Sequence, residues 1–334
     1  MIAPDIEVSV IIVTYNSSKD IGTLLPTLLA QTYKNFEIII VDNNSNDNTK
    51  DIINRYKNVK LIALPKNVGY GRACNIGARF AKGRYLVFLN PDVKLTPTFL
   101  EILYRTIREA PDVGMVCATS VFYNGDKIQS IGQTYEPFTG YAVDLLYGTK
   151  ITDMSALLLI QEKVTIFKYK YRLFSCNGVG FIIKKELFEK IGGFSPYYFL
   201  YFEDVDLGSK LRRIGYRIIP SEALLFHKID SKRAHNIVAR YYIEVGSLIY
   251  KLITDSAPRV LLTLILRLGI ATFFLVVKPI HSVPIIYGIY VTLKYLRNKI
   301  LLRKIFKQKY SICDQTCLSL SYFIRKTLYS LHEF

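Results

Sequence analysis

The stretch VSVIIVTY, Val8–Tyr15, is a nearly continuous run of β-branched residues. Such a run is typical of a strand buried on both faces, as in a parallel sheet covered by helices. Three further strand-like runs lie at Phe36–Asn43, Val59–Leu64 and Tyr85–Asn90. Helical spacing alternates with them at 20–30, 49–56, 71–81 and 97–109. This alternation predicts an α/β domain built on a parallel, doubly wound sheet.

The rest of the chain divides into an irregular middle, a second group of elements and a basic tail. Residues 113–174 are strand-like but irregular. A strand at 178–183, a short helix at 185–191, a helix ending at Arg213 and strand segments at 217–220 and 223–227 follow. Beyond Asp255 the composition becomes apolar and basic. We therefore predict one α/β domain over 1–255 and a helical C-terminal region over 256–334.

The net charge of +17 is concentrated in the C-terminal region of this 334-residue chain. Residues 256–334 carry 12 Lys/Arg and 2 Asp/Glu, and no acid lies between Ser256 and Cys313. A basic, acid-free segment predicts an anionic partner, either phospholipid or nucleic acid. The long apolar run Val260–Val277 does not suit a nucleic-acid surface. We therefore expect a membrane surface as partner and no nucleic acid.

The cysteines and the N-terminus predict an intracellular protein. Five cysteines are too few and too scattered for a disulfide framework, although Cys313 and Cys317 can pair on one helix face. We expect reduced thiols. The start MIAPDIEVSV has neither a basic n-region nor a long apolar h-region, so it does not resemble a signal peptide.

Polar residues follow three of the predicted strands. They are Thr14-Tyr15-Asn16, Asp42-Asn43-Asn44-Ser45 and Asn90-Pro91-Asp92. Any one group alone is explained by the turn preference of Asn and Asp. Because carboxyl ends of parallel strands meet at one edge of a sheet, the three together predict a polar crevice at the expected ligand site.

These pieces together resemble the family 2 glycosyltransferases, which are inverting enzymes with the GT-A fold. The matching pieces are VSVIIVTYN, VDNNSNDNT, NVGYGRACNIG, FLNPDV, GGFSPYYFLYFEDVDLGSKLRRIGY and LLFHK. They occur in the family's order and cover roughly residues 8–230. Their amino-acid sequences are most similar to those of the rhamnosyltransferase-like branch. The resemblance implies a GT-A, Rossmann-like catalytic domain that uses a nucleotide-diphosphate sugar.

The resemblance also implies which residues bind the donor. Asp42 would accept the N–H of a uracil or thymine base, which makes a UDP- or dTDP-sugar the expected donor. Thr14, Tyr15 and Asn16 would flank the base and ribose. The turn Gly69-Tyr70-Gly71-Arg72 opens a helix, so its backbone N–H groups and Arg72 would face the nucleotide, and Asn67 belongs to the same donor set. Asn90 and Asp92 complete the implied donor set.

A divalent cation, Mg²⁺ or Mn²⁺, is implied beside the diphosphate. Asp92 would bind it, and His227 would complete the coordination, although a lone histidine at a strand end is more often structural. Many relatives have Asp-X-Asp where this chain has Asn90-Pro91-Asp92. The metal would then have one fewer protein charge.

The cluster Glu203, Asp204 and Asp206 carries the chemistry implied for the acceptor. By the resemblance Asp204 is the general base for the attacking hydroxyl, and Glu203 positions the acceptor or Asp204. Asn177 and Gly178 are the implied acceptor-side residues. Asp206 can instead pair with Lys210 one helical turn on. The competing interpretation makes all three acids ordinary first-turn residues of a helix.

The expected attachment of the C-terminal region to the membrane follows from the compartment in which nucleotide-sugar donors are found. Nucleotide sugars are cytosolic, and the seven basic residues of Lys294–Lys309 also favour the cytosolic side. A Val260–Val277 helix would be about 27 Å long, and Arg267 near its centre costs roughly 2.5–3.5 kcal/mol on insertion. We expect peripheral or monotopic attachment to the cytoplasmic face, or a short hairpin broken at KPIHSVP. The alternative is a helical appendage packed on the domain or on a second subunit, as in a homodimer.

The sequence as a whole predicts a membrane-associated, metal-assisted glycosyltransferase. It would move a sugar to a hydroxyl of a glycan or lipid-linked acceptor. The alternative is a non-catalytic nucleotide-sugar-binding or scaffold protein at the membrane, and Asn90 is the feature that favours it.

Overall fold

A computed structural model describes residues 6–151, 162, 164–166, 173–228, 237–277 and 282–295. The strands are β1 Val8–Thr14, β2 Phe36–Asp42, β3 Val59–Ala63, β4 Tyr85–Leu89, β5 Val93–Leu95, β6 Val113–Phe122, β7 Ile128–Ser130, β8 Gln133–Tyr135, β9 Ala142–Asp144, β10 Gly180–Lys184 and β11 Arg217–His227. The helices are α1 Ser18–Leu29, α2 Thr49–Ile53, α3 Tyr70–Arg79, α4 Phe99–Ile107, α5 Lys185–Lys190, α6 Glu203–Arg213, α7 Ile237–Thr254, α8 Ala257–Val277 and α9 Ser282–Tyr295.

One large mixed sheet organises the domain, in the order β3-β2-β1-β4-β10-β6-β11-β5, with β7 beside β6. The first four strands are parallel, as the sequence predicts. Strand β10 then enters antiparallel between β4 and β6, whereas β6 and β11 are parallel to each other. The two segments expected at 217–220 and 223–227 form one strand, with an irregularity in its pairing between Pro220 and Leu224.

The sheet is covered on both faces. Alternate residues of β1 and β2 point into different cores, so Ile11 and Ile39 belong to one cluster while Ile12 and Ile40 belong to the other. Helices α3, α5 and α6 cover the first cluster, and α1 and α4 cover the second. This arrangement explains why β1 and β2 are apolar without alternation.

Helix α7 joins the sheet domain to the C-terminal helices. Its Tyr250 packs in a buried cluster with Tyr135 and Phe202 of the sheet domain. Its Leu248 and neighbouring apolar residues pack against α8 and α9. The predicted boundary at residue 255 falls in the short turn between α7 and α8.

A buried ion pair attaches α8 to the rest of the protein. The Arg267 guanidinium is fully buried, and its Nη1 lies 2.7 Å from Glu244 Oε2. It also donates hydrogen bonds to the carbonyl of Thr139 and the hydroxyl of Ser247, each at 2.7 Å. Breaking one partner of such a pair leaves an uncompensated buried charge, so these contacts hold α8 firmly against α7 and the 136–141 loop.

The outer faces of α8 and α9 are apolar. Leu261 and Ile265 of α8 are 59% and 58% exposed, and Val283 of α9 is exposed as well. Within the described residues, Pro258–Leu275 is the one segment long and apolar enough to cross a membrane, with a mean hydropathy of 1.7. The break at 278–281 and the basic run from 296 onward lie outside the described residues.

The expectation of reduced thiols is wrong for one pair of cysteines. Cys117 on β6 and Cys176, which precedes β10, form a disulfide with an S–S distance of 2.21 Å. The pair is separated by 59 residues, and antiparallel pairing of β6 with β10 brings the two segments together. Cys74 is a buried free thiol, and Cys313 and Cys317 lie outside the described residues.

Candidate active site

The carboxyl ends of β1 and β2 are locked together around Asp42. This side chain is fully buried, and its Oδ1 accepts hydrogen bonds from the hydroxyls of Thr14 at 3.0 Å and Ser45 at 2.5 Å. Its Oδ2 accepts the backbone N–H of Ser45 at 2.9 Å. The chain's own donors therefore orient the carboxylate and leave Oδ2 capacity for one further hydrogen bond.

The loop after β1 is fixed to the loop after β2. The backbone N–H of Asn16 donates to Ser45 Oγ at 2.9 Å, and Asn16 Oδ1 accepts the N–H of Asn46 at 2.9 Å. Asn16 has a φ of 49°, in the left-handed region that Asn tolerates. Tyr15 beside it is half exposed, so its ring is accessible at this edge of the sheet.

The turn that opens α3 is held by two asparagines. Asn43 Nδ2 donates to Asn67 Oδ1 at 2.9 Å, and Asn67 Oδ1 also accepts the N–H of Gly69 at 2.9 Å. Gly69 has a φ of +87°, and a Cβ there would lie 2.6 Å from the carbonyl oxygen of Phe199. The turn therefore needs glycine both for its backbone angle and for its close contact with the 194–202 loop.

Helix α3 holds that same loop through three sets of hydrogen bonds. Tyr70 N–H donates to the Phe199 carbonyl at 2.9 Å. Arg72 donates from Nε and Nη2 to the Pro196 carbonyl at 3.2 and 2.8 Å. Asn75 both donates to the Phe194 carbonyl and accepts its N–H. Arg72, which the sequence placed toward the nucleotide, thus links the donor-side helix to the loop before the acids.

Gly71 lies in the same interface. A Cβ at this position would lie 3.0 Å from Phe194 Cβ and 3.5 Å from Glu203 Cβ. Its small size therefore allows α3 to approach the start of α6 closely.

The two residues implied as metal ligands are neighbours. His227 at the end of β11 pairs with Val93, which brings its Nε2 to 3.2 Å from Asp92 Oδ1. On its other side His227 Nδ1 lies 2.8 Å from Gln129 Oε1. With that oxygen as acceptor, Nδ1 carries the proton and the Nε2 lone pair faces a carboxylate. A cation bound by the two groups would remove this repulsion.

A carboxylate just before β5 and an imidazole at the end of the adjacent strand β11 fit a divalent cation that takes its remaining ligands from diphosphate and water. Asn90 precedes this pair at the end of β4, and its backbone N–H donates to the Val179 carbonyl at 3.0 Å. In the part of the chain that the structure describes, no group of three or more His, Cys, Asp or Glu side chains gathers into a metal-binding cluster. The protein alone would therefore supply only a part of the coordination.

The acids stand at the start of α6, after a strained turn. Tyr201 and Phe202 have φ values of 62° and 72°, which are rare for residues with a side chain. Helix α7 packs on this turn through Gly246, where a Cβ would lie 2.9 Å from Phe202 Cβ. Strain of this kind persists only where the surrounding structure over-determines it, and it clusters at functional sites.

Asp204 faces the beginning of β10. Its Oδ2 accepts the N–H of Gly178 at 2.9 Å, and its Oδ1 accepts the N–H of Val205 at 2.8 Å. Asn177 Oδ1 accepts the N–H of Val179 and so shapes the same turn. Because β10 is antiparallel to β4, its first residues lie where β4 ends, and Asn177 and Gly178 stand beside Asn90.

A match to a known family covers the part of this arrangement that lies before residue 193. The model of glycosyl transferase family 2 matches residues 9–192, which is more than half of the chain. The chain belongs to glycosyltransferase family 2. A Mycobacterium tuberculosis N-acetylglucosaminyl-diphospho-decaprenol L-rhamnosyltransferase is 26% identical over 242 residues, which cover 66% of this chain and 76% of that protein.

Further relatives agree with this membership. An Escherichia coli UDP-Glc:alpha-D-GlcNAc-diphosphoundecaprenol beta-1,3-glucosyltransferase is 45% identical over 87 residues, 25% of this chain and 35% of that protein. The solved mannosyltransferase of Pyrobaculum calidifontis, in complex with GDP-Man and Mn²⁺, has a TM-score of 0.57 at 18% identity. It covers 87% of this chain and 89% of its own. The fold of this family 2 glycosyltransferase is thus GT-A.

Burial sets the protonation of the two acids in this family 2 enzyme. Glu203 is only 5% exposed, and burial, with the adjacent Asp204 carboxylate, raises its pKa to about 8. Burial also raises the pKa of Asp204 to about 6, against the opposing effect of the Val205 N–H. Burial therefore opposes ionisation of both acids, and it does so more strongly at Glu203 than at the partly exposed Asp204.

A buried network supports the helix behind these acids. Lys210 Nζ lies 3.1 Å from Asp206 Oδ2, which confirms the pairing suggested by their four-residue spacing. Ser195 Oγ donates to the same Asp206 oxygen at 2.6 Å, and Lys210 also donates to the Gly193 carbonyl. Ser195 and Gln129 are site-supporting residues that sequence reasoning missed. Both make contacts to residues far away in the chain or on another element, which local spacing does not reveal.

The raised pKa of Glu203 predicts how stability depends on pH. Because the folded state favours the protonated acid, its stabilising contribution is full below the ordinary pKa of 4.5 and is lost as pH rises through about 8. We expect the free energy of unfolding to fall over this range by a few kcal/mol, and Glu203→Gln to remove much of the fall. Denaturant titrations at pH 5, 7 and 9 measure it. Glu189→Gln is the control, because the Glu189 side chain is exposed. If the free energy of unfolding fell equally with pH in the Glu203→Gln and Glu189→Gln variants, the assignment would be contradicted.

Proposed function

We propose that this family 2 enzyme transfers a sugar, with inversion at the anomeric carbon, from a UDP- or dTDP-sugar to a hydroxyl of a lipid-linked or glycan acceptor. The observation that carries the proposal is Asp204. It is a partly exposed carboxylate with a raised pKa, held by Gly178 at the edge where the donor strands end. A base so placed can meet an acceptor hydroxyl directly above the donor site.

The proposed reaction needs one proton acceptor and one leaving group. The acceptor hydroxyl donates its proton to Asp204 as its oxygen forms a bond to the anomeric carbon. The bond from that carbon to the diphosphate oxygen breaks, and the electron pair leaves with the nucleoside diphosphate. Glu203, buried against α3 with a raised pKa, favours its neutral form, so Asp204 can stay ionised and accept a proton near neutral pH.

The donor is proposed to lie along the ends of β1, β2 and β4. The end of β2 at Asp42 is proposed to lie against a pyrimidine base, and the exposed Tyr15 ring can cover the base. The turn at Asn67–Gly69 and the start of α3 at Gly71 form the next wall, which Arg72 fixes to the 194–202 loop. Solved relatives in this fold include a mannosyltransferase with GDP-Man and Mn²⁺, so the choice of base is a proposal for this chain.

Asp92 and His227 are proposed to hold Mg²⁺ or Mn²⁺ beside the diphosphate. When bound, such a cation neutralises the charge that develops on the leaving diphosphate. Gln129 orients the imidazole from behind, as partners of metal-ligating histidines commonly do. Asn90 supplies a neutral oxygen at most, so we expect modest affinity without the nucleotide.

A lipid-linked acceptor is proposed because two relatives are named for one. The rhamnosyltransferase is named for a diphospho-decaprenol substrate, and the glucosyltransferase for a diphosphoundecaprenol substrate. The apolar outer faces of α8 and α9 are suited to the surface in which such a lipid resides. We propose peripheral attachment at the cytoplasmic face. The Arg267–Glu244 pair ties α8 to the protein body, which favours a helix lying along the membrane over one that crosses it.

Replacing the proposed base tests the catalytic assignment. We expect Asp204→Asn to lower sugar transfer by about 10²–10⁴-fold, because the hydroxyl loses its proton acceptor while the donor site is untouched. Release of UDP or dTDP from a panel of their sugars, with a lipid-linked acceptor, measures turnover, and a UDP-induced thermal shift measures donor binding. Asp51→Asn on the exposed face of α2 is the control.

Full turnover of Asp204→Asn would refute the assignment. UDP binding by the parent chain without turnover of any donor would favour the scaffold alternative.

Metal assistance predicts a shift that depends on Asp92. UDP at about 100 times its Kd should stabilise the fold by roughly 2.7 kcal/mol, and Mn²⁺ should increase the shift at a fixed lower UDP concentration. Asp92→Asn should abolish the increase, whereas Asn90→Asp should enlarge it by adding a carboxylate. Differential scanning fluorimetry with and without Mn²⁺ measures these shifts. An identical UDP response of the parent chain in Mn²⁺ and in a chelator would exclude the proposed metal role.

Attachment to membranes predicts co-sedimentation with vesicles that contain anionic lipid. The basic residues after 293 should make binding weaker at high salt, and the apolar face of α8 should retain part of it. The double variant Leu261→Ser and Ile265→Ser removes two exposed apolar side chains of α8 and should reduce the bound fraction. Parent protein that stays in the supernatant at low salt would contradict the attachment.

A further inference from the structure

A continuous series of aromatic rings leads from the site to the C-terminal helices. Phe199 stacks on Tyr242 with ring centroids 5.5 Å apart, and Tyr242 contacts Tyr241 at 5.1 Å. Tyr241 contacts Tyr287 at 5.0 Å, and Tyr287 contacts Tyr290 at 5.9 Å. We call these five residues the aromatic track. It begins on the 194–202 loop, follows α7 and ends on α9.

The first residue of the aromatic track is connected to the proposed base through hydrogen bonds of Tyr70 and Gly178. The Phe199 carbonyl accepts the N–H of Tyr70, and the Tyr70 hydroxyl donates to the Gly178 carbonyl at 3.3 Å. Gly178 in turn donates its N–H to Asp204. Three consecutive contacts thus connect Phe199 to the carboxylate. The position of the ring is fixed because Gly69 packs directly against the Phe199 backbone.

The rings at the two ends of the aromatic track are exposed to solvent, whereas rings that serve only to pack the protein core would be buried. Phe199, Tyr287 and Tyr290 are 43%, 44% and 58% exposed. Helix α7 is attached to the sheet domain by other residues, through Tyr250 and Gly246. The exposed rings at both ends are joined through the partly buried rings of Tyr241 and Tyr242, and exposed apolar surface of this kind on proteins marks binding sites.

We propose that the aromatic track binds the polyprenyl chain of the lipid-linked acceptor. This inference rests on the proposed transfer to such an acceptor. The chain would lie along the rings, with its head group at Asp204 and its far end at α9. The direction of the track favours hydrocarbon as the occupant, because its distal rings adjoin the exposed apolar residues Val283 and Ile286. A lipid drawn partly out of a bilayer needs such a surface between the membrane and the base, since its chain would otherwise cross water.

Photo-labelling with a benzophenone derivative of farnesyl phosphate, in neutral detergent micelles, tests the proposal on the full chain. Labels mapped by mass spectrometry should fall on the aromatic track and be displaced by unlabelled farnesyl phosphate. The double variant Tyr287→Ser and Tyr290→Ser should lower track labelling by roughly tenfold. The matched control is Leu261→Ser with Ile265→Ser, which changes two equally exposed side chains on α8 and should retain the labelling.

Three outcomes would overturn the proposal. They are labels concentrated on α8, an equal loss of labelling in both double variants, and displacement by a soluble disaccharide but not by farnesyl phosphate. The last would assign the track to a glycan. The UDP-induced thermal shift, measured on the same samples, separates this proposal from the transferase itself. A normal shift without track labelling refutes only the track, whereas track labelling without a shift supports the track and counts against the proposed transfer.

Discussion

Two adjacent carboxyl groups at the buried start of one helix are the constraint on which the rest of this structure depends. Glu203 and Asp204 cannot both be ionised there without cost, because burial and mutual repulsion oppose the second charge. The helix N-terminus offsets part of that cost, and the N–H groups of Gly178 and Val205 offset more at Asp204 alone. The asymmetry of these donors therefore favours ionisation of Asp204 over ionisation of Glu203.

Holding that asymmetry requires a rigid surround. The strained Tyr201–Phe202 turn sets where α6 begins, and Gly246 of α7 lets a second helix close over the turn. Below it, Asp206 and Lys210 satisfy each other and fix the preceding loop through Ser195. Helix α3 holds the same loop from the donor side. The parts of the site are therefore connected to one another. Movement of the 194–202 loop would disturb both the turn before α3, where the donor is proposed to bind, and Asp204, the proposed base.

Local sequence patterns predicted the parts of this body that local physics determines. Strands β1 to β4, the helices between them and the pairing of Asp206 with Lys210 all follow from apolar runs and from helical spacing. The motifs also indicated the family, because their order along the chain is specific. The insertion of β10 antiparallel between β4 and β6, and the Cys117–Cys176 bond, depend on segments far apart in sequence. No periodicity within either segment encodes such pairing.

The candidate site divides in the same way. Asp42, Asp92 and His227 stand where strand ends predicted them, although their roles are proposals. The contacts of Arg72 were not predictable from the sequence. A guanidinium at the start of a helix can donate hydrogen bonds either to a phosphate or to a carbonyl oxygen. The loop residue Pro196, whose carbonyl it binds, is 124 positions away. Which of the two partners Arg72 meets is decided by the tertiary fold alone.

Arg267 shows how a tertiary partner reverses the meaning of a residue. In the sequence it interrupts an apolar run, and there it predicts an unfavourable free energy of membrane insertion. In the structure it is fully buried against Glu244, Thr139 and Ser247, with its guanidinium carbon 4.3 Å from the centre of the Tyr141 ring. The same charge that disfavours a crossing helix therefore fixes α8 onto the 136–141 loop, while Leu261, Leu262 and Leu268 of α8 are exposed. Because α7 connects this ion pair to the turn before the acids, the apolar surface and the proposed base are held in a fixed relation by buried contacts.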